Sequence, residues 1–191
     1  MPIHIVEEPV TANTLADHGA IRAAFQVQTV LEPTLVDDGL GGIEFTEIQV
    51  GEPWVKDYDD NEAPAEWTSR FDVSNWSLLT AYDSEKRVGG AVIAFDTPEV
   101  HMLDSREDLA VLWDIRVAPE ARGSGVGERL FRRAETSSRS RGCHVLKVET
   151  QNINVPACGF YQRMGCTLGA INRFAYPDLP DEIQLLWFKR L

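Results

Sequence analysis

The chain has 191 residues, of which 43% are hydrophobic, 9% aromatic and 25% charged, as in an ordinary globular protein that can bury one substantial core. It contains no apolar run near the roughly 18 residues that a membrane-spanning helix needs, and its first eight residues lack a basic region followed by an apolar one. We therefore expect one cytoplasmic domain over residues 1–191 that has no membrane partner.

The net charge of −12 is unevenly distributed along the chain. Residues 1–70 carry 14 Asp and Glu against 3 Lys and Arg, whereas residues 116–141 carry seven Arg against three Glu. The acidic part argues against nucleic acid as a partner and favours a small cationic amine. The basic stretch suits a polyanionic ligand, although a solvated helix surface explains it equally simply and is the commoner case for a charge run.

The cysteines indicate neither disulfides nor zinc. Cys143, Cys158 and Cys166 are odd in number and have no C-x-x-C spacing, and the four histidines have no metal-ligand spacing. We expect buried thiols and no metal cofactor.

The first 35 residues are ambiguous. Ala20, Ala24, Val27 and Leu31 have helical spacing, but residues 25–31 also alternate like a strand, so both alternatives stay open. Farther along, apolar runs predict strands at these positions: 43–50, 76–82, 88–95, 109–117, 145–150, 166–174 and 183–190.

Two helices are predicted between the later strands. Residues 125–141 contain good helix formers with an apolar face, and Gly142 is suited to end that helix; residues 155–164 form the second, which ends at Gly165. The order strand, helix, strand, helix, strand across the middle of the chain predicts an α/β (α+β) protein with a mixed sheet and two crossover helices.

A glycine-rich turn joins strand 109–117 to the first helix. Gly123, Gly125 and Gly127 allow backbone N–H groups to approach an anion closely, and the helix N-terminus adds unpaired donors and a positive dipole end. No Lys follows the turn, as a Walker loop would require, and Glu128 stands where the dinucleotide fingerprint needs glycine. The turn therefore predicts a cradle for a pyrophosphate outside those two nucleotide-binding classes.

Two motifs carry a resemblance to a known family. Residues 122–127, preceded by Val117-Ala118-Pro119, resemble the acyl-CoA-binding motif of the GNAT family of N-acetyltransferases. Residues 154–166 match the N-x-x-A-x-x-F-Y-x-x-x-G-F pattern of the same family, except that Cys166 replaces the final Phe. Residues 53–60, 149–154 and 186–188 add a similarity to its streptothricin acetyltransferase branch.

The resemblance implies a GNAT fold, which has a mixed, mostly antiparallel sheet with a splayed parallel strand pair and flanking helices. It places an acetyl-CoA motif over 109–141 and a catalytic strand and helix over 145–165. The implied activity is transfer of acetyl from acetyl-CoA to a primary amine of a streptothricin-type antibiotic, which confers resistance. The alternatives are a protein, peptide N-terminal or polyamine acetyltransferase and, outside catalysis, an acyl-CoA-binding regulatory module.

The resemblance also implies which residues bind the coenzyme. Backbone N–H groups around Ile115 to Val117 would stabilise the oxyanion. The complete set of expected coenzyme-binding residues is Ile115, Arg116, Val117, Arg122, Gly123, Ser124, Gly125, Val126, Gly127, Asn154, Ala157 and Phe160.

The chemistry requires a base, because an ammonium group with a pKa of about 10.4 is not nucleophilic. Glu149, in the strand before the second helix, is the preferred candidate; Asp114 and a relay of waters are its rivals, and both carboxylates have structural roles as alternatives. Tyr161 would protonate the departing thiolate, whereas its neighbour Phe160 is expected to pack in the core.

The same resemblance suggests a substrate site, and exposed aromatic residues suggest an assembly. Asp57, Tyr58 and Asp59 are expected to bind the cationic substrate, with Asp60 and Glu62 nearby. A homodimer is a further expectation, with a contact formed by a loop carrying exposed Trp54 and Trp67 and by the C-terminal strand.

Overall fold

The computed structural model describes residues 3–191, which contain nine strands and four α-helices. The strands are β1 His4–Glu8, β2 Ala24–Val36, β3 Gly42–Asp57, β4 Ser77–Asp83, β5 Lys86–Ala94, β6 Leu109–Val117, β7 Val145–Gln151, β8 Thr167–Asn172 and β9 Gln184–Arg190. The helices are α1 Ala12–Gly19, α2 Trp67–Arg70, α3 Val126–Ser140 and α4 Val155–Arg163. None of the helices within residues 3–191 has the length and apolar character needed to cross a membrane.

The chain divides into two compact units, each discontinuous in sequence. The first contains the residues up to Ala23, Asp57–Val148 and Phe188–Leu191. The second contains Ala24–Lys56 and Glu149–Trp187. Strands β7 and β9 each have residues in both units.

Most predicted elements are confirmed to within a few residues. Strand β6 has the predicted bounds, and α3 ends just before Gly142, whose φ of 80° is the left-handed conformation expected after a helix. The ambiguous segment 24–36 is strand β2, while α1, which lies earlier and has a capping box between Thr11 and Thr14, has no counterpart among the predicted elements. Strand β3 runs past Gly51 and Pro53 to Asp57, because a strand in a two-stranded ribbon has a free edge that tolerates proline.

In the first unit, the sheet has the strand order β1-β4-β5-β6-β7. All pairs are antiparallel except β6 and β7, which are parallel, so the mixed, mostly antiparallel sheet is confirmed. The parallel register covers only residues 109–111 against 145–147, although β6 continues to Val117. Val92 and Ile93 of β5 face Asp114 and Leu112, so Trp113 is the extra residue of a β-bulge.

An aromatic cluster fills the core of this unit. Trp113 lies 6.2 Å from Trp67, 5.2 Å from Phe71 and 5.3 Å from Trp76 between ring centroids, and Leu15 of α1 packs in the same cluster. Trp67 is only 6% exposed. The expectation that Trp67 is an exposed contact residue is therefore wrong, because the short helix α2 turns its indole into the core.

The second unit consists of the β2–β3 ribbon, helix α4 and the strand order β7-β9-β8. Buried Asn152 holds its parts together: its amide nitrogen donates to the carbonyls of Leu31 (3.2 Å) and Asp181 (3.4 Å), and its amide oxygen accepts from the N–H of Ile183 (2.8 Å). Strand β9 lies between two neighbours, so its backbone is occupied in the sheet. The homodimer stays a prediction.

Candidate active site

The turn after β6 presents an exposed loop with an unusual backbone. A 3-10 turn over Pro119–Ala121 follows the strand, and Gly123 and Gly125 then adopt φ values of 77° and 85°, in the region that favours glycine. The side chains on either side brace the loop: Arg122 Nε donates to the Val117 carbonyl (3.1 Å) and Ser124 Oγ to the Ala121 carbonyl (2.6 Å). The loop is therefore exposed and held in shape.

This loop fits the diphosphate of a coenzyme. A Cβ atom added at Gly123 or Gly125 would meet nothing within 4 Å, so the space above both residues is open. Gly125 is the N-cap of α3 and brings no capping side chain, and the first N–H groups of that helix have no intrahelical acceptor. Open glycine backbone beside uncapped helix donors is the arrangement that binds phosphate oxygens.

The arginines of the basic stretch have other partners. Arg132 and Arg139 pair with Glu135 of the same helix, Arg129 donates to the Ile3 carbonyl, and Arg141 donates to the Asn75 carbonyl. These contacts support the interpretation of α3 as a charged helix surface. The cradle consequently depends on backbone donors more than on arginine side chains.

Arg116 is buried in an ion-pair network. Its side chain is 3% exposed and donates to Asp114 (2.6 and 2.8 Å), to Asp59 (3.2 Å) and to the Ile21 carbonyl (2.8 Å). Its guanidinium is thus saturated by protein acceptors. The expected role of Arg116 toward the coenzyme stays a prediction.

Asp114 has a second partner in His18. His18 is fully buried, its Nε2 lies 2.7 Å from Asp114 Oδ1, and its Nδ1 has no hydrogen-bond partner among residues 3–191. Burial by itself raises the pKa of Asp114, but hydrogen bonds from Arg116 and His18 outweigh it and hold the pKa far below the ordinary value. A carboxylate so stabilised in its ionised form is a weak proton acceptor, which disfavours Asp114 as the base.

The expected substrate carboxylates also have protein partners. Asp57 pairs with Arg22 and accepts the N–H of Asp59, while Asp59 accepts the N–H of Ala23 (3.0 Å) in addition to Arg116. Burial opposes ionisation of Asp57, yet the hydrogen bonds from Arg22 and from the Asp59 N–H lower its pKa. The segment with Tyr58 forms a 3-10 turn. The contacts of its acidic groups stabilise the first unit, in addition to any role that these groups have toward a substrate.

Glu149 occupies a different environment in the second unit. Its Oε1 accepts the Tyr176 hydroxyl (2.5 Å) and the Gln151 amide (3.3 Å), and its Oε2 accepts the Gln184 amide (2.7 Å). No arginine or lysine forms an ion pair with Glu149 within residues 3–191. The carboxylate is thus oriented by neutral donors from three side chains.

Helix α4 positions Tyr161 and begins as expected. The Asn154 side chain accepts the Ala157 N–H (3.2 Å) as N-cap, and Pro156 lies in the first turn, where its missing N–H does no harm. Tyr161 is only 4% exposed and its ring lies edge-on to Phe160, which is half-buried. Helix α4 thus buries Tyr161 more deeply than Phe160, and the expected roles of both residues stay predictions.

Comparison with known proteins identifies the family. The family model described as acetyltransferase (GNAT) family matches residues 44–166. This chain belongs to the GNAT family. The assignment agrees with the glycine loop, the register of the parallel strands and the capped α4 helix described above.

Individual GNAT proteins resemble nearly the whole chain. The streptothricin acetyltransferase of Escherichia coli is 28% identical over 192 residues, which cover 98% of this chain and 95% of that protein. The crystal structure of nourseothricin acetyltransferase has a TM-score of 0.74 at 26% identity and covers 98% of both chains. A Bacillus anthracis protein solved in complex with acetyl coenzyme A has a TM-score of 0.76 at 24% identity, covers 100% of this chain and 98% of that chain, and shows the shared fold.

Membership of the GNAT family confirms the predicted fold and enzyme class. The protein is an acetyltransferase, and acetyl-CoA is the coenzyme that GNAT acetyltransferases use. The individual site residues remain predictions. The glycine loop, which the structure leaves open and uncapped, fits the coenzyme's pyrophosphate.

Several residues that contact Asp114 and Glu149 could not be found from the GNAT sequence motifs. His18 lies 96 residues from Asp114, and Tyr176 lies 27 residues from Glu149 in a segment without regular structure. The periodicity of apolar residues carries no signal for pairs so distant in sequence. Asn152 and Gln184 occupy ordinary strand-end positions, and only the tertiary structure reveals what they bind.

We predict that Gly125→Ala weakens acetyl-CoA binding while Gly142→Ala does not. Both glycines have positive φ and open space around the missing Cβ, so both substitutions strain the backbone by about 1–2 kcal/mol. Only Gly125 lies in the cradle. We expect Gly125→Ala to raise the Kd for acetyl-CoA, measured by calorimetry, by about tenfold, which is about 1.4 kcal/mol. Equal affinities of the two variants would contradict the cradle.

We predict that Asp114→Asn removes part of the acid sensitivity of folding. Because the pKa of Asp114 is lowered in the folded state, its stabilisation is complete above its ordinary value near 3.8 and is lost as the pH falls below that value. The variant should lose about 2–4 kcal/mol of unfolding free energy at pH 7 and show a flatter decline between pH 4 and pH 3.

The measurement for this prediction is urea unfolding from pH 3 to pH 7. Asp17→Asn, on the exposed side of α1, is the matched control and should keep the wild-type profile. An Asp114→Asn profile parallel to that of the wild type would refute the assignment.

Proposed function

We propose that this protein acetylates a primary amine of a streptothricin-type antibiotic with acetyl-CoA and thereby confers resistance to it. The observation that carries the substrate class is the 28% identity to the Escherichia coli streptothricin acetyltransferase across 98% of the chain. The similarity in structure to nourseothricin acetyltransferase supports the same class. We treat residues 1–191 as one acetyltransferase domain acting in the cytoplasm.

The charge of the protein favours a cationic substrate. A chain of net charge −12 attracts a small oligocation and repels nucleic acid. Protein N-termini and polyamines are also amines, so charge alone does not select the antibiotic. The choice between these amines rests on the similarity to the antibiotic acetyltransferases.

The coenzyme supplies the acetyl group as an activated thioester, and the protein supplies orientation and proton transfer. In the proposed arrangement, Gly123, Gly125 and the first N–H groups of α3 hold the diphosphate. The backbone N–H groups of Ile115 to Val117 donate to the acetyl oxygen as negative charge develops on it. The short parallel register, which ends at Val111, supports this role because it leaves the later part of β6 without a partner in that pair.

Two side chains are proposed to move protons. Glu149 accepts the proton that the ammonium group must lose before its nitrogen attacks, either directly or through a water. Its orientation by neutral donors supports this choice over Asp114, which Arg116 and His18 hold ionised. Tyr161 is proposed to donate its hydroxyl proton to the sulfur that leaves.

The substrate proposal is tested by thiol release from acetyl-CoA with a panel of amines. The panel contains a streptothricin, aminoglycosides, polyamines, free lysine and N-terminal peptides. We expect release with the streptothricin and little with the others. Thiol release only with peptides or polyamines would leave the acetyltransferase activity in place but contradict the proposed substrate. Coenzyme binding without any thiol release would favour a regulatory module.

We predict that Tyr161→Phe lowers kcat for thiol release by about 10² to 10⁴, because loss of a general acid removes that factor when chemistry limits turnover. Tyr82→Phe is the matched control, since Tyr82 donates to Glu8 (2.6 Å) in the first unit and lies outside the proposed site. Unchanged kcat in Tyr161→Phe would eliminate Tyr161 as the acid.

A further inference from the structure

The second unit contains a cleft that no step above uses. It has a volume of about 720 Å³, which is within the range of roughly 300–1,000 Å³ for small-molecule sites. One wall comes from the β2–β3 ribbon, with Val30, Glu32 and Ile48, and the other from the segment between β8 and β9, with Phe174, Tyr176 and Asp181. The cleft is thus lined by apolar side chains, by the acidic Glu32 and Asp181 and by the basic Arg173.

The walls of the cleft are fixed by buried hydrogen bonds. Asn152, which also lines the cleft, donates to the Leu31 carbonyl on the ribbon side and to the Asp181 carbonyl on the other side. It also accepts the Ile183 N–H, and its own backbone N–H and carbonyl pair with Ile183 and Leu31. Because one buried amide spans both walls, the cleft is a built feature of the second unit.

Tyr176 connects this cleft to Glu149. Tyr176 lines the cleft, and its hydroxyl donates to Glu149 Oε1 (2.5 Å) and accepts from the Gln151 amide (2.8 Å). Gln184 donates to the other carboxylate oxygen. A molecule in the cleft therefore lies against the residue that holds the proposed base.

The hydrogen bonds around Glu149 leave it with residual acceptor capacity. An ionised carboxylate has about four acceptor positions, and Tyr176, Gln151 and Gln184 occupy three of them. About one position is left for an amine or a water. Such an arrangement orients the carboxylate without saturating it.

We infer that the cleft is the subsite for the acceptor amine and that Tyr176, which lines the cleft and donates to Glu149, is a positioning residue for that carboxylate. The inference rests on the proposed function. Glu32 and Asp181, one on each wall, are exposed and form no ion pair with another residue of the described chain. They outnumber Arg173, the basic residue among those that line the cleft, and in this inference they hold a second cationic group, so the fitting substrate class is a small molecule with at least two amino groups.

The positioning role is tested by a double-mutant cycle on kcat. Tyr176→Phe should lower kcat by about tenfold to a hundredfold, because it removes a hydrogen bond to a charged group, and should leave the KM for acetyl-CoA unchanged. Glu149→Gln should lower kcat further. The double variant should be no slower than Glu149→Gln, since Tyr176 acts only through Glu149. Independent, multiplying losses would overturn the positioning role.

Tyr82→Phe is the matched control for this cycle, because it also removes a tyrosine-to-glutamate hydrogen bond but does so in the first unit. It should keep wild-type kcat and KM. A Tyr176→Phe enzyme indistinguishable from Tyr82→Phe would contradict the inference, and thermal unfolding of each variant separates lost positioning from lost folding.

The subsite itself is tested with Glu32→Gln and Asp181→Asn. Each should raise the KM for the streptothricin severalfold with kcat unchanged, and the difference should shrink in 1 M salt, which screens exposed charges. Glu44→Gln, an exposed ribbon residue outside the cleft, is the control. An unchanged KM for the streptothricin in both cleft variants would contradict the proposed subsite.

Failure of the proposed function gives a separate result. If wild-type enzyme acetylates another diamine of the panel, the same variants are measured with that diamine. If no amine is acetylated, the proposed function fails, and calorimetric binding of the streptothricin then tests the cleft. Loss of binding in the Glu32→Gln, Asp181→Asn double variant would support the subsite. Unchanged binding in the double variant, or no binding to the wild-type protein, would overturn it.

Discussion

The first unit depends on the burial of one guanidinium group. Arg116 lies on β6, and its charge is compensated by Asp114 on the same strand and by Asp59 from the acidic segment. A buried cation without such partners would cost several kcal/mol, so the surrounding chain is constrained to supply them. The same arginine also donates to the Ile21 carbonyl, and His18 forms a hydrogen bond with Asp114. Helix α1, strand β6 and the segment around Asp59 are thereby tied to one charge network.

This constraint has a functional consequence for the coenzyme loop. Strand β6 leads within a few residues into the turn with Gly123 and Gly125, so anchoring the strand also fixes the start of the turn. The loop itself contributes backbone N–H groups, whose directions follow from φ and ψ. Rigid backbone donors lose little conformational freedom on binding an anion, which is the advantage of building a phosphate site in this way.

The proposed acceptor side uses a different principle. Glu149, Tyr176 and Gln184 form a cluster of side chains whose orientation depends on neighbours from separate segments of the second unit. Neutral donors orient the Glu149 carboxylate, whereas Asp114 is held by a cation and a histidine. The two strand carboxylates therefore differ in the kind of groups that orient them.

The sequence by itself determined the features that depend on local geometry. The spacing of glycines after an apolar strand predicted an exposed glycine loop, the motif over residues 154–166 located α4, and apolar runs predicted β6 and most of the sheet, because each of these follows from backbone conformation over a few residues. Only the tertiary structure decided the burial and the contacts of Arg116, Trp67, Phe160 and Tyr176. An arginine beside a phosphate loop and an arginine buried between two aspartates look the same in sequence; the difference lies in Asp59, which the fold brings from 57 residues away.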